Sequence, residues 1–402
     1  KNKKSKLTNM KETILVTGGT GFIGSHTTVE LQQAGYDVVI VDNLSNSRED
    51  VLDGIEKITG IRPAFEKVDL RDFDATESVF KKYPKISGII HFAASKAVGE
   101  SVQKPLLYYH NNIVSLINLL QLMPKYDVKG IIFSSSCTVY GQPDVLPATE
   151  ETPIKKAESP YGNTKQINEE IIADTIKSGS PIKAILLRYF NPIGAHPTAF
   201  IGEMPNGVPQ NLIPYLTQTA MGIRKELSVF GDDYDTPDGS CIRDYIYVVD
   251  LAKAHVCAMT RIMEDQTTEP VEVYNIGTGT GTSVLELINA FEKATGVKLN
   301  YKIVGRRAGE IDHHCARPMR VEIDEMIEQV QPTVLILDFG GVTFMDSSGI
   351  GLIMGRYRTM KLLGGEVRVL NIPPSMERMV ELSGLSALKL FEKGCEKDEV
   401  KK

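Results

Sequence analysis

The stretch Thr17-Gly18-Gly19-Thr20-Gly21-Phe22-Ile23-Gly24 follows the apolar run Ile14-Leu15-Val16 and opens a helix-period segment over residues 22–34. Glycines at 18, 21 and 24 permit a tight turn, close approach of a pyrophosphate to the backbone, and close packing of helix on sheet. Amides left free at the start of such a helix face the phosphates. A glycine-rich turn without a ligand would use the same residue types. Here, however, a strand precedes, a helix follows, and Asp42 closes the next apolar run, Val38-Val39-Ile40-Val41, as a dinucleotide site requires. A carboxylate at that place accepts from the two adenosine ribose hydroxyls and repels a 2′-phosphate, so NAD is expected rather than NADP. Asn43 and Ser47 bring no positive charge to the turn, although Arg48 lies close by.

Further apolar runs at residues 64–68, 89–92, 131–133 and 184–187 alternate with amphipathic stretches such as 111–123. Continuous β-rich runs separated by helices predict a parallel sheet covered on both faces, a doubly wound α/β domain. From residue 191 to 310 Pro and Gly become frequent and the elements shorten. That texture suggests a smaller lobe over the carboxyl ends of the strands, where ligands of open α/β sheets sit. After residue 311 a second α/β rhythm begins: a strand over 333–339, a helix over 348–362, a strand over 366–371 and a helix over 375–382.

A chain of 402 residues has room for two or three domains. Its net charge of −6 argues against a nucleic-acid or membrane-surface binder, which would carry a basic field. Five cysteines, far apart and never spaced Cys-x-x-Cys, argue against a disulfide framework or structural zinc and for a reducing cytoplasm. The adjacent His313-His314-Cys315 invites a metal reading, but three consecutive residues do not converge easily on one ion, and no metal is expected. No apolar run reaches the length of a membrane span. The basic start reads as a disordered extension, residues 1–9, ahead of a start at Met10.

Two Tyr-x-x-x-Lys spacings occur, Tyr161/Lys165 and Tyr357/Lys361, and with 15 tyrosines one such match is expected by chance. Position separates them. Tyr161 follows the strand ending in Ser134-Ser135-Ser136, whereas Tyr357 lies in the later segment and reads as a helix-surface pair. Residues i and i+4 share one helix face, so the Lys165 ammonium is expected near the Tyr161 phenol. Lowering a phenol by about 3 units takes about 4 kcal/mol of charge stabilisation, which Lys165 and a positive nicotinamide could supply. Ser136 can donate to a developing oxyanion. These residues together predict reversible hydride transfer at a secondary alcohol.

At these residues the chain resembles the UDP-glucose 4-epimerase family of extended short-chain dehydrogenase/reductases. The words that carry the resemblance are VTGGTGFIGSHT (16–27), VVIVDNLSNS (38–47), HFAASKAVGES (91–101), SSSCTVYG (134–141), SPYGNTKQINEE (159–170), LRYFNPIGAHP (187–197), NGVPQNLIPY (206–215), VFGDDYDTPDGSCIRDYIYVVDLAKAH (229–255) and NIGTGTGTSVLEL (275–287). It implies a Rossmann-like NAD-binding domain over residues 10–190 and an interleaved UDP-sugar lobe over 191–310. It also implies that Ser136, Tyr161 and Lys165 are catalytic. Residues implied for NAD are Gly18, Gly21, Phe22, Ile23, Gly24, Asp42 on the ribose, Asn43, Asp69 on the adenine edge and Leu70. Phe92, Ala93, Ala94, Lys96, Asn111, Ser134 and Phe190 complete that set, with Tyr161 and Lys165. Implied for the UDP-sugar are Asn191, Asn211, Leu212, Phe230, Arg243, Tyr245, Arg307 and Glu310, beside Ser136 and Tyr161. In this family the tyrosine takes the C4 hydroxyl proton while C4 hydride passes to NAD. The 4-keto sugar then swings about its diphosphate and takes the hydride back on the other face. UDP-glucose and UDP-galactose are thereby interconverted.

The resemblance changes at Arg306-Arg307-Ala308-Gly309-Glu310, where the family continues with a tryptophan-containing word and this chain has no tryptophan. The words GEIDHHCARPM (309–319) and LDFGGVTFMDSSGIGLIMGRYRTMKLLGGEV (337–367) instead resemble the anti-sigma factor antagonist family of STAS domains. That resemblance implies a partial α/β domain over 311–395, lacking its first strands and followed by a charged tail over 396–402. It further implies phosphorylation of Ser347 and an anti-sigma factor or kinase partner. A helix cap explains the residue types around Ser347 equally well. Gly309-Glu310 fits both families, as a recombined or misassembled gene would leave it, and a loose substrate lobe and an unpaired sheet edge are expected.

Two alternatives to the epimerase are a sugar-nucleotide dehydratase or reductase, and an inactive nucleotide-binding scaffold carrying a phospho-regulated STAS module. A dehydratase would want added acid and base residues beside the serine, where this chain has Cys137. A homodimer through the helices of residues 111–123 and 161–177 is the expected assembly.

Overall fold

The computed structural model describes residues 12–392 except 142, 210, 306–309, 312, 341, 343, 346, 374–375, 378–379, 382, 384 and 389. The expected basic extension and the charged tail therefore lie outside the described residues. The chain forms two compact units, one running to Val229 and from Asp233 to Lys302, the other formed by Phe230–Asp232 with residues from Ile303 onward.

The first unit begins with β1 (Thr13–Thr17), α1 (Phe22–Gln33), β2 (Asp37–Asp42), α2 (Val51–Thr59), β3 (Ala64–Lys67), α3 (Phe73–Lys82) and β4 (Ile86–His91). It continues with α4 (Val98–Gln103), α5 (Pro105–Leu122), β5 (Gly130–Ser136), α6 (Pro160–Lys177) and β6 (Lys183–Tyr189). Next come β7 (Asn191–Ile193), α7 (Leu212–Ala220), β8 (Leu227–Phe230, its last residue already in the second unit), β9 (Ile242–Tyr247), α8 (Val248–Met263), β10 (Val271–Ile276), β11 (Gly281–Ser283), α9 (Val284–Thr295) and β12 (Tyr301–Val304, its last two residues in the second unit). The main sheet has seven parallel strands in the order β10-β6-β5-β4-β1-β2-β3. It is the doubly wound, Rossmann-like arrangement expected from the alternating runs.

Alternate residues of each strand feed opposite cores, because side chains on a strand have a period of two. Leu15, Val39, Ile89, Ile131 and Leu186 enter one cluster, while Ile14, Ile40, Ile90, Ile132 and Ile185 enter the other. A strand buried on both faces needs no polar alternation, which is why these runs read as continuously apolar. Strand order reverses between β1 and β4, so their connections diverge and open a crevice at the carboxyl ends.

β10, from within the segment expected to form the lobe, is the seventh strand of this sheet, paired residue for residue with β6. The smaller lobe is built on the sheet β11-β9-β7, and Leu216, Leu227, Val229, Ile288 and Leu299 form its own core.

In the second unit lie β13 (Glu310–Ile311), α10 (His313–Val330), β14 (Val334–Asp338), β15 (Phe344–Met345), α11 (Ser347–Leu362), β16 (Glu366–Leu370) and β17 (Phe391–Glu392). Its strands pair in parallel, β14-β16-β17 and β13-β15. Leu335, Phe339, Leu352, Ile353, Met360, Val367 and Val369 fill its core. The strand and helix expected at 333–339 and 348–362 are β14 and α11; the helix expected over 375–382 lies partly outside the described residues. Among the described residues β14 pairs only with β16 and is an edge strand of that sheet.

Candidate active site

The turn between β1 and α1 is shaped by close backbone contacts. Gly18 has φ +69°, and its amide donates to the Val41 carbonyl at 2.7 Å. A Cβ at Gly18 would sit 2.9 Å from the Ala93 amide nitrogen, and one at Gly24 only 2.3 Å from the Gly18 carbonyl oxygen. At both places the backbone passes too close for a side chain, as the glycine spacing suggested. Gly19, which the spacing rule does not single out, is equally constrained, since its Cβ would meet Ile40 at 2.7 Å. Gly21 is the residue before α1, and Phe22 and Ile23 are its first two residues.

Asp42 closes β2 beneath this turn. It accepts from the amides of Leu44 at 2.9 Å and Thr20 at 3.3 Å and from the Ser47 hydroxyl at 2.9 Å. A carboxylate has about four acceptor positions, so capacity remains for a ribose hydroxyl. Asp69 is more heavily engaged. Arg71 forks onto it at 2.9 and 2.6 Å, Asn43 reaches it at 3.4 Å, and the Arg71 fork brings its carboxyl down to about 2. The Leu70 carbonyl accepts from Asn118 at 2.8 Å.

Across the crevice, the amides of Phe92 and Ala93 donate to the carbonyl and hydroxyl of Thr17 at 3.0 and 3.3 Å, setting the loop that carries Ala94 and Lys96. Asn111 donates to Ser95 at 3.2 Å, while its neighbour Asn112 bonds both backbone groups of Ser95 and the Thr164 hydroxyl. Asn112 is thus the stronger anchor of that loop, and linear sequence carries no sign of it. Lys96 lies 3.8 Å from Glu203, which also accepts from Asn211 at 2.7 Å.

Ser136 ends β5, and Tyr161 and Lys165 lie on the first turns of α6. The helix starts where Ser159 caps it, its hydroxyl accepting from the Gly162 amide, with Pro160 at the first position. Ser136 lies close enough to the Tyr161 phenol to oppose the effect of its burial. Lys165 reaches past them to the Ser134 carbonyl at 2.6 Å, with its ammonium 4.9 Å from the Phe133 ring centre and 5.9 Å from that of Tyr161. The Ser134 hydroxyl meets the Tyr189 hydroxyl at 2.5 Å.

The electrostatics differ from the expectation that Lys165 lowers the phenol. Burial drives the Tyr161 phenol well above its ordinary value, reinforced by Tyr189, with Ser136 opposing. Burial also brings Lys165 down to about 8, against the pull of Glu169. In a site this dry the cost of removing charge from water exceeds the attraction between neighbours.

Phe190 follows β6, its amide on the Ile276 carbonyl at 3.3 Å and its ring against Gly277. Asn191, Arg243 and Tyr245 come together on the lobe sheet, with Asn191 in register with Tyr245 and donating to the Asp244 carbonyl at 3.2 Å. Arg243 is exposed, its guanidinium donating to the Ile242 carbonyl at 2.7 Å, and its charge is felt at the Cys137 thiol next to Ser136. Asn211 precedes α7 and Leu212 begins it. Phe230 and Glu310 belong to the second unit, Arg307 lies outside the described residues, and nothing is described of the Glu310 side chain. Ser347 is the first residue of α11, its side chain likewise outside the description. No helix among the described residues is long and apolar enough to cross a membrane, and no group of acidic, His or Cys side chains there could hold a metal.

Comparison with known proteins follows this division. Residues 14–277 match the NAD dependent epimerase/dehydratase family and residues 295–394 match the STAS domain. The STAS match thus starts ahead of Gly309, where the sequence words first suggested it. The chain is 52% identical over 306 residues to UDP-glucose 4-epimerase 2 of Arabidopsis thaliana, covering 75% of this chain and 86% of the plant protein. It is 50% identical over 309 residues to UDP-glucose 4-epimerase of Bacillus subtilis, covering 77% and 90%. Its fold is similar to the crystal structure of UDP-glucose 4-epimerase from Bifidobacterium longum in complex with NAD+ and UDP. That similarity has a TM-score of 0.70 and 52% identity, over 73% of this chain and 87% of that one.

Proposed function

This chain belongs to the NAD dependent epimerase/dehydratase family, and we propose on that premise that it interconverts UDP-glucose and UDP-galactose by oxidation and re-reduction at C4. The observation that carries the reading is the meeting of Ser136, Tyr161 and Lys165 at the carboxyl ends of the strands, beside a turn that fits a dinucleotide.

NAD on that turn supplies the acceptor and donor of hydride. Tyr161 takes the proton of the C4 hydroxyl and later returns one, and Ser136 donates to the same oxygen. Burial keeps the phenol protonated at rest, so the site is a proton donor until positive charge arrives beside it. A bound nicotinamide would supply that charge, beside the Lys165 ammonium already present below about pH 8. Arg243, with Asn191 and Tyr245 on the same lobe sheet and Asn211 and Leu212 at the start of α7, grips the diphosphate, since a guanidinium suits that anion. Inversion at C4 requires the sugar to present its other face while the diphosphate stays held. The lobe's separate core permits that division of labour.

UDP-galactose supplied to the full chain tests the reading. UDP-glucose should form, and a Tyr161→Phe variant should form none while still carrying NAD. Bound NAD without turnover in the parent protein would support a scaffold instead.

The STAS match favours a second role for residues 295–394. We propose that this segment binds an anti-sigma factor or its kinase and that phosphate on Ser347, at the start of α11, switches that contact. Mass spectrometry of the Ser347 peptide after exposure to such a kinase tests it, and an unmodified peptide would refute it. A cytoplasmic homodimer through α5 and α6 is the assembly we propose, with a monomer in sedimentation as the contrary result.

A further inference from the structure

Beneath the catalytic trio lies a buried charged network that proton transfer does not use. Glu169 sits one turn beyond Lys165 and two beyond Tyr161, hence on the same face of α6. Its Oε1 accepts from the Ser135 hydroxyl at 2.5 Å and from Arg188 Nε at 3.0 Å, and its Oε2 from Arg188 Nη2 at 2.6 Å. Arg188, on β6, also donates to the Tyr140 hydroxyl at 3.0 Å, and that hydroxyl donates to Asn275 on β10 at 2.6 Å. Ser135, Tyr140, Glu169 and Arg188 are all buried. A single carboxylate therefore ties the catalytic helix to β5 and β6, and through Tyr140 to β10.

Stability alone does not account for this pair, because a buried ion pair is often no better than apolar residues of the same volume. Its location does. Ser135 stands between Ser134, whose carbonyl receives Lys165, and the catalytic Ser136. We propose that Glu169, clamped by Arg188, is a positioning residue that fixes Ser136 and Lys165 relative to one another and holds the Lys165 side chain as an ammonium. Around Lys165 stand Tyr161 and Glu169 on α6, the Ser134 carbonyl and Phe133 ring on β5, and His91 on β4. His91 is uncharged, since burial pushes it down to about 3. Glu169 is the group whose charge counters the burial of Lys165, and Arg188, Ser135 and Lys165 are what face Glu169.

The effect on turnover rests on the epimerase reading above; the effect on Lys165 does not, and the experiment separates them. In the full chain labelled with 13C at lysine Cε, one lysine should titrate near 8 by NMR. In Glu169→Gln that midpoint should fall by about one unit. With UDP-galactose the same variant should lose about 10²-fold in kcat with KM little changed. Where Glu169→Gln alone does not fold, Glu169→Gln/Arg188→Gln leaves no unpaired charge and is read the same way. An unmoved lysine midpoint, or parental kcat in the variant, would overturn the proposal. A parent that titrates as described but forms no UDP-glucose would instead overturn the epimerase reading.

Discussion

The Nζ of Lys165 donates to the carbonyl oxygen of Ser134 at 2.6 Å, so the lysine of α6 is itself the tie to the strand that ends in Ser136. A rotation of α6 that moved Tyr161 away from Ser136 would break this bond and leave an ammonium buried without a partner, which is costly. The geometry of the pair is thus defended by the charge of Lys165.

Replacing Lys165 by methionine should abolish turnover and change how stability depends on pH. The folded value near 8 lies below the ordinary 10.5, so between those limits the unfolded chain binds the extra proton and the parent gains stability as pH rises. Lys165→Met removes a burial cost of about 3 kcal/mol at pH 7, less about 1 kcal/mol for the lost hydrogen bond. Urea unfolding at pH 7 and pH 10 should show the variant's advantage shrinking with pH, and an advantage that grew would contradict the assignment.

Gly24→Ala should disturb both the turn and its ligand. The added Cβ would lie 2.3 Å from the Gly18 carbonyl and 2.8 Å from Gly19 Cα, so α1 must move off the turn. A loss of about 1–3 kcal/mol and purification without bound NAD are expected. Retention of NAD in that variant would show that the close approach is not needed.

Glu272 on β10 gives an acid-sensitive joint between the seventh strand and α8. Arg261 forks onto it at 2.7 and 2.9 Å, Thr268 and Tyr274 add three more bonds, and the Arg261 fork pulls its carboxyl down to about 2 from the ordinary 4.5. Its contribution is present above pH 4.5 and is lost as pH falls toward 2. Glu272→Gln should cost about 1–3 kcal/mol at pH 7, and thermal melts should show the gap closing below pH 4.5.

Asp244 holds the loop after β10 against the lobe strand that carries Arg243. It accepts from the Thr278 amide and hydroxyl and from the Gly279 amide, at 2.6 to 3.1 Å. Asp244→Ala should raise KM for UDP-galactose by about tenfold, the equivalent of about 1.4 kcal/mol, with a smaller effect on kcat. Equal losses in both constants would place Asp244 in the chemical step instead.

What local order could reveal, it revealed. The glycine turn, Asp42 at the end of β2 and the Tyr161–Lys165 spacing are each carried by a short word of sequence, and the alternation of apolar runs announced the sheet. The change of texture after Gly309 announced a second unit of different kinship, although the STAS match reaches back to residue 295. Hidden from that view were Asn112 under the Ser95 loop, β10 in the main sheet, and Glu169 with Arg188 beneath the site. Each depends on elements far apart in the chain, and no short word encodes the pairing.

Sequence by itself determined which residue types stand at the turn and on the catalytic helix face, because helix and strand periods fix which side chains share a face. Tertiary structure alone decided their charge state. Only a packed interior removes the water that would otherwise solvate Lys165 and Tyr161, and that removal raises the phenol against Ser136 and lowers the ammonium against Glu169.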